Sequence, residues 1–167
     1  VTGTYDVTQL KAINTGTDGT ITLDDRTHAL TGSVADITDA ISGTFTLPHQ
    51  GAIKITGSNP TVDQLKVINN ATEGNITLPD AGAGFSGSPS ALADALSGGS
   101  VSGPITIEGT PNAAQLNTIS TAASGNITLD SYSIAFSGSA ADLAGAFAGN
   151  FVGTLSGSVT IEDASSE

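Results

Sequence analysis

Ile107-Glu-Gly-Thr-Pro-Asn-Ala-Ala-Gln-Leu-Asn-Thr-Ile-Ser-Thr-Ala-Ala-Ser-Gly-Asn-Ile-Thr-Leu129 is the stretch that decides the fold, because the chain contains it three times. The first copy runs from Val1 to Leu23 and the second from Ile55 to Leu78. Between the first and third, 10 of 23 positions are identical, among them Gln-Leu, the glycine before the last segment, and Ile-Thr-Leu. Self-similarity at a fixed period is the mark of a repeat architecture, so it is read before any local feature.

Within each copy a helix comes first. Thr4, Asn59 and Thr110 are read as N-caps, and Pro60 and Pro111 as first helical residues, where a missing N–H costs nothing. Apolar side chains recur at spacings of three: Val7, Leu10 and Ile13; Val62, Leu65 and Ile68; Ala113, Leu116 and Ile119. That spacing keeps them on one side of a short helix. Gly19, Gly74 and Gly125 follow, then Ile-Thr-Leu as a strand with Thr facing away from its neighbours.

Turns are expected at Asp24-Asp25-Arg26, at Pro79-Asp-Ala-Gly82 and at Asp130-Ser131. A second helix then opens at Ser33, Ser88 or Ser139, with Pro89 at its first position in the middle copy. Ser33-Val-Ala-Asp36 and Ser139-Ala-Ala-Asp142 read as capping boxes closed by Asp. Val34, Ile37 and Ile41, then Leu92 and Leu96, then Ala140, Leu143 and Phe147 form its inner face. Strands are expected again at Phe45–Leu47, Ile53–Ile55, Val101, Ile105–Ile107, Phe151–Leu155 and Val159–Ile161.

The helix anchors Leu10, Ile37, Leu65, Leu92, Leu116 and Leu143 are separated by 27, 28, 27, 24 and 27 residues. The expected fold is α/β: a right-handed solenoid of about six strand–helix coils of about 26 residues each. Paired, the coils make three double repeats, approximately 1–54, 55–106 and 107–158, with a partial one at 159–167, in a single repeat-array domain over 1–167. The alternative is a row of small ferredoxin-like units. About 51 residues with so few large side chains would bury little core alone. Local hairpins, as around Ser156-Gly157, are the third reading.

Sixteen acidic and four basic residues give a formal charge of −12. After Lys66 there are nine carboxylates and no cation. Nucleic acid and anionic membrane surfaces are poor partners for such a chain, since both are bound through Lys and Arg. With no Cys there is no disulfide or thiolate chemistry. No apolar run approaches membrane-spanning length. The absence of Met and a start inside a repeat read as a segment of a longer array.

No catalytic residue, cofactor site or metal ligand set is assigned. His28 and His49 have no counterparts in the other repeats and are read as surface residues. No Gly-x-Ser-x-Gly elbow is present. Carboxylates follow strands repeatedly (Asp24, Asp25, Asp80, Glu108, Asp130, Glu162 and Asp163), and stacking could bring them to one edge. Calcium takes six to eight oxygens, usually from a compact loop, which is absent here, so a calcium-dependent binding module stands as the alternative to a structural role. Thr22, Thr77 and Thr128, with Thr106 and Thr160, are expected to form one outward row interrupted by Lys54, the pattern of an ice-binding face.

The alternation of Gly-Thr-x-x-Ala-Ala-Gln-Leu-x-x-Ile…Gly-x-Ile-Thr-Leu with Ser-Gly-Ser-Ala-Ala-Asp-Leu resembles tandem repeats of giant secreted, calcium-associated, adhesin-like surface proteins of marine bacteria and cyanobacteria. The resemblance spans essentially the whole chain. It implies an extracellular or cell-surface location and a structural or adhesive role without catalysis. Neighbouring repeats, and an extracellular or cell-surface ligand, are the partners it implies. It transfers no calcium sites, because the glycine-rich nonapeptide signature is missing.

Overall fold

The computed structural model describes residues 3–78, 85–97 and 99–162. In chain order the elements are α1 (Val7–Thr15), β1 (Leu30–Ser33), α2 (Val34–Ile41), β2 (Ile53–Thr56), α3 (Val62–Ala71), β3 (Ile76–Thr77), β4 (Phe85–Gly87) and α4 (Pro89–Leu96). They continue with β5 (Val101–Ser102), β6 (Ile105–Ile107), α5 (Ala113–Ala122), β7 (Ile127–Leu129), β8 (Phe136–Gly138), α6 (Ala140–Phe147) and β9 (Val159–Ile161). The fold is therefore α/β. Each helix packs against the helix next to it in sequence, from α1 on α2 to α5 on α6.

Every strand pair among the described residues is parallel. The sheets are β1-β2-β3-β5, β4-β6-β7 and β8-β9. Parallel neighbours need a crossover, and the helices supply it: α2 links β1 to β2, α3 links β2 to β3, α5 links β6 to β7. The ferredoxin-like alternative and the hairpin at Ser156-Gly157 both require antiparallel neighbours, and this topology overturns them.

Leu30, Ile53, Ile76 and Val101 are successive ladder neighbours, an advance of 23, 23 and 25 residues. The helix anchors mostly advance by 27 or 28. Because the two steps differ, equivalent sequence positions do not stay on one ladder, and new sheets begin at β4 and β8. Those strands and β1 were not expected. Each starts with one large apolar residue and runs into a Ser- and Gly-rich segment that reads as a turn. Conversely, Phe45–Leu47 and Phe151–Leu155 provide only single bridges, Phe45 to Ile21 and Phe151 to Ile127.

The core is a continuous line of Ile, Leu and Val from helix and strand inner faces, with Leu10, Ile37, Leu65, Leu92 and Leu116 fully buried. Each such side chain contributes about 1.5–3 kcal/mol by leaving water. Ala140, expected on this face, is exposed.

The N-caps of the odd helices lie two residues later than expected. They are Asp6, Thr61 and Asn112, each accepting from the backbone N–H of a glutamine that reaches back to the cap's own N–H. Pro60 and Pro111 thus precede the cap instead of opening the helix. They are buried, as is Tyr5, at the position whose apolar residue meets N4. Ser33, Ser88 and Ser139 cap the even helices as expected, with Pro89 following. Asp36 and Asp142 close differently from a capping box, accepting from the serine hydroxyl at 2.7 and 2.9 Å. Asn112→Ala is expected to lower stability by about 1 kcal/mol. Thr110→Ala, at the mispredicted cap, should change it by under about 0.5 kcal/mol, read as urea midpoints.

Candidate functional site

Four sets of side chains could carry chemistry, and the structure separates most of them. Among the strand-end carboxylates, Asp25 accepts from the backbone N–H and hydroxyl of Thr27 at 2.8 and 2.7 Å. These bonds hold its carboxyl below the usual range. Asp130 reaches across a strand end to accept from the Gly109 N–H at 2.7 Å. Asp24, Glu108 and Glu162 are exposed. Asp80 and Asp163 lie outside the described residues. No three His, Asp or Glu side chains come together as a metal-holding group among the described residues.

The threonines do not form one row. Thr77 lies between Lys54 and Ser102, whereas Thr128 lies beside Thr106 on a different sheet. Thr160 neighbours Ser137, and the Thr22 hydroxyl meets that of Thr46 at 2.7 Å. The slip between helix and strand periods is the cause. A single flat face of equivalent threonines, as an ice-binding surface needs, is therefore not built.

The densest polar cluster joins loops 24–28 and 48–51. Tyr5 donates to the Asp25 carbonyl at 2.7 Å and stacks obliquely on His28, with ring centroids 5.4 Å apart. Burial and the nearby Asp25 carboxylate push the Tyr5 phenol up. Arg26 donates to the Pro48 carbonyl at 2.9 Å, and its own carbonyl accepts from Gln50 and Gly51 at 2.7 and 2.8 Å. His28 is half-buried, but His49 is only 4 % exposed, against its expected place on the surface. Its backbone fixes it there: the N–H donates to Ala71, and the carbonyl accepts from Glu73 and from the Thr72 hydroxyl. Neither ring nitrogen makes a hydrogen bond. Burial therefore pushes the imidazole down, partly offset by the facing His28 carbonyl. The cluster contains no nucleophile activated by a base.

A fourth set was missed in the sequence. Asn14, Asn69 and Ser120 sit four residues after the anchors Leu10, Leu65 and Leu116. They donate to Asp39, Ser97 and Ala146, carbonyls at the C-terminal ends of the following helices, at 2.7, 3.0 and 2.9 Å. These carbonyls have no intrahelical partner, so each odd helix satisfies the end of the even one after it. Lys11 adds ion pairs to Asp36 and Asp39, both at 2.9 Å, and Lys66 one to Asp94 at 3.4 Å. Exposed pairs of this kind contribute little. The recurring Asn/Asn/Ser position was the available signal, but a polar residue on a helix flank reads as solvent-facing.

No known protein family, curated protein or solved structure matches the chain. No helix among the described residues is long and apolar enough to cross a membrane.

Proposed function

We propose that this chain is a structural, adhesive repeat segment of a larger secreted or cell-surface bacterial protein, with no catalytic activity. Its units stack as a right-handed solenoid over residues 1–167. One observation carries the reading: interactions run from each unit to the next. Strand neighbours, helix neighbours and the Asn14, Asn69 and Ser120 bonds all join positions 20 to 28 residues apart. A protein organised by nearest-neighbour contacts builds length in proportion to its units. Of its strand-end carboxylates Asp25 and Asp130 are engaged by backbone donors, and its threonine rows are divided between sheets, which suits a spacer.

The test is thermal unfolding in excess EDTA and then in millimolar calcium, with magnesium as control. The spacer reading expects equal melting temperatures at equal ionic strength. A calcium site filled at a hundred times its Kd would add about 2.7 kcal/mol. For a chain of this length that is a rise of roughly 5–10 °C. Such a rise specific to calcium would overturn the reading in favour of a calcium-dependent binding module.

A further inference from the structure

We propose that the groove between α2, α3 and the segment 44–48 takes an extended, uncharged peptide of a partner protein. The peptide adds one rung to the strand ladder at Phe45 and lays an aliphatic side chain between Leu47 and Val67. This names the chemistry of a partner for the adhesive reading above, and it rests on that reading. The starting point is a difference in loop length. Ile53 follows Phe45 by eight residues, whereas Ile105 follows the counterpart Val101 by four. In the second repeat Val101 serves two neighbours, bridging Ile76 on one side and Ala123 on the other. In the first repeat two residues divide that work. Phe45 bridges Ile21, and His49, four residues on, bridges Thr72, the counterpart of Ala123. The longer loop therefore leaves Phe45 with a ladder neighbour on one side alone among the described residues.

Backbone geometry shows which way the open side faces. The Ile21 N–H donates to the Thr44 carbonyl at 2.8 Å, and the Thr46 N–H donates to the Ile21 carbonyl at 3.0 Å. In a parallel ladder the residue between those two, Phe45, turns its own N–H and carbonyl away from Ile21. Neither makes a hydrogen bond among the described residues. At Val101 the same carbonyl is taken by the Ser124 N–H at 3.0 Å. What fills this place in the second repeat is extended backbone, and another extended backbone is the occupant with the matching donor and acceptor. The site thus continues the Ile21–Phe45 ladder. Peptides that add to a strand edge gain affinity from such main-chain bonds and specificity from adjoining pockets.

The adjoining pocket is present. Ile41, Phe45, Leu47, Pro48, Val67 and Ala71 line an open cavity of about 410 Å³, together with Asn70, and no charged side chain lines it. Ligand sites commonly span about 300–1,000 Å³. Leu47 is 53 % and Val67 43 % exposed, and up to the end of α6 no other large apolar side chain is exposed among the described residues. At the counterpart groove, between α4 and α5, Thr118 stands in place of Val67 and Thr121 in place of Asn70. Of these two grooves the apolar one is the one where the ladder is open. A charged side chain would lose water in it without finding a partner, so the docked residues are uncharged.

The test is a titration of the isotope-labelled chain with the capped peptide acetyl-Ser-Val-Ala-Val-Ser-amide, followed by nuclear magnetic resonance. The expected result is a saturable downfield shift of the Phe45 amide proton, with further shifts at Leu47, Val67 and Ala71 and none at Val101, Thr118 or Thr121. Val67→Thr, which copies Thr118 at an exposed position, should weaken binding about tenfold through the lost aliphatic contact. Its urea midpoint should match that of the native chain. The same peptide methylated on its central backbone nitrogens should not bind, because it cannot donate to the Phe45 carbonyl. Equal binding of the methylated peptide would mean that the groove holds side chains without a ladder bond, and overturns the proposal. A Phe45 shift that grows with protein concentration in the absence of peptide also overturns it, as the sign of a second copy in the groove. No shift at any peptide concentration, with the mixed helix–strand spectrum intact, overturns it while leaving the stacked-unit reading standing. A spectrum without helix takes both down.

Discussion

Alanine at Gly74 is expected to cost about 3 kcal/mol or more, whereas alanine at Gly19 should cost under about 0.5 kcal/mol. The two glycines occupy the same place in the repeat, before Ile-Thr-Leu, and neither has a positive φ. The difference lies in what is stacked on them. A Cβ at Gly74 would collide with the Gly51 carbonyl oxygen and come within 2.7 Å of its carbon and 2.9 Å of the Gln50 oxygen. At Gly19 it would meet only the Thr17 hydroxyl at 3.2 Å, the end of a side chain that can turn away. Gly51 cannot retreat from Gly74. Its N–H is held by Arg26, and a Cβ of its own would strike the His28 carbonyl. Backbones of successive units thus touch through glycine, and a methyl group must push whole units apart. Gly125, stacked on Gly103, should behave like Gly74. Urea unfolding followed by circular dichroism measures this. Equal midpoints for Gly74→Ala and Gly19→Ala would mean that the units are not in backbone contact.

The same glycine shows how far the sequence can be read. Gly74 is recognisable as the end of a linker, but its neighbour Gly51 lies outside the aligned repeat, so the contact is invisible. Helices were legible because Leu10, Leu65 and Leu116 repeat with apolar residues three positions either side, and that pattern depends on local geometry alone. Strand pairing was less so. Ile53, Ile105 and Val159 are apolar enough to announce strands, yet Leu30, Phe85 and Phe136 lead into Ser and Gly, and only pairing with Ile53, Ile105 and Val159 makes them strands. The threonine row failed for a related reason. Thr77 and Thr128 are equivalent in sequence, but a ladder step of 23 against an anchor step of 27 assigns them to different sheets. The caps were misplaced because proline drew the helix start to itself. Asp6-x-x-Gln9, Thr61-x-x-Gln64 and Asn112-x-x-Gln115 carried the better signal, a reciprocal pair of hydrogen bonds. His49 was unreadable, having no counterpart in the other repeats and lying in a loop that nothing local marks as covered.

That buried imidazole should make the first repeat sensitive to mild acid. In the folded chain burial holds His49 below the usual histidine pKa of about 6.5. The unfolded chain therefore takes up a proton first as pH falls. Between the unfolded and the lowered folded value the unfolded state binds more protons, so stability is complete above about pH 6.5 and declines below it. One proton sets the largest slope, about 1.4 kcal/mol per pH unit, reached midway through that window. The carboxylates titrate elsewhere. Asp25, held down by Thr27, and Asp36, held down by Lys11 and Ser33, stay ionised through this range and lose their contribution only below their ordinary 3.8. Tyr5 lies far above it. The groups facing His49 are the His28 carbonyl and ring, Asp25 and Arg26. The expected result is a urea midpoint that falls from pH 7 to pH 5 in the native chain and in His28→Asn. In His49→Phe, which keeps the ring's bulk without its proton, the same interval should be nearly flat. A His49→Phe chain as acid-sensitive as the native one would place the titrating group elsewhere, and His49 would then be a neutral filler of the space between units.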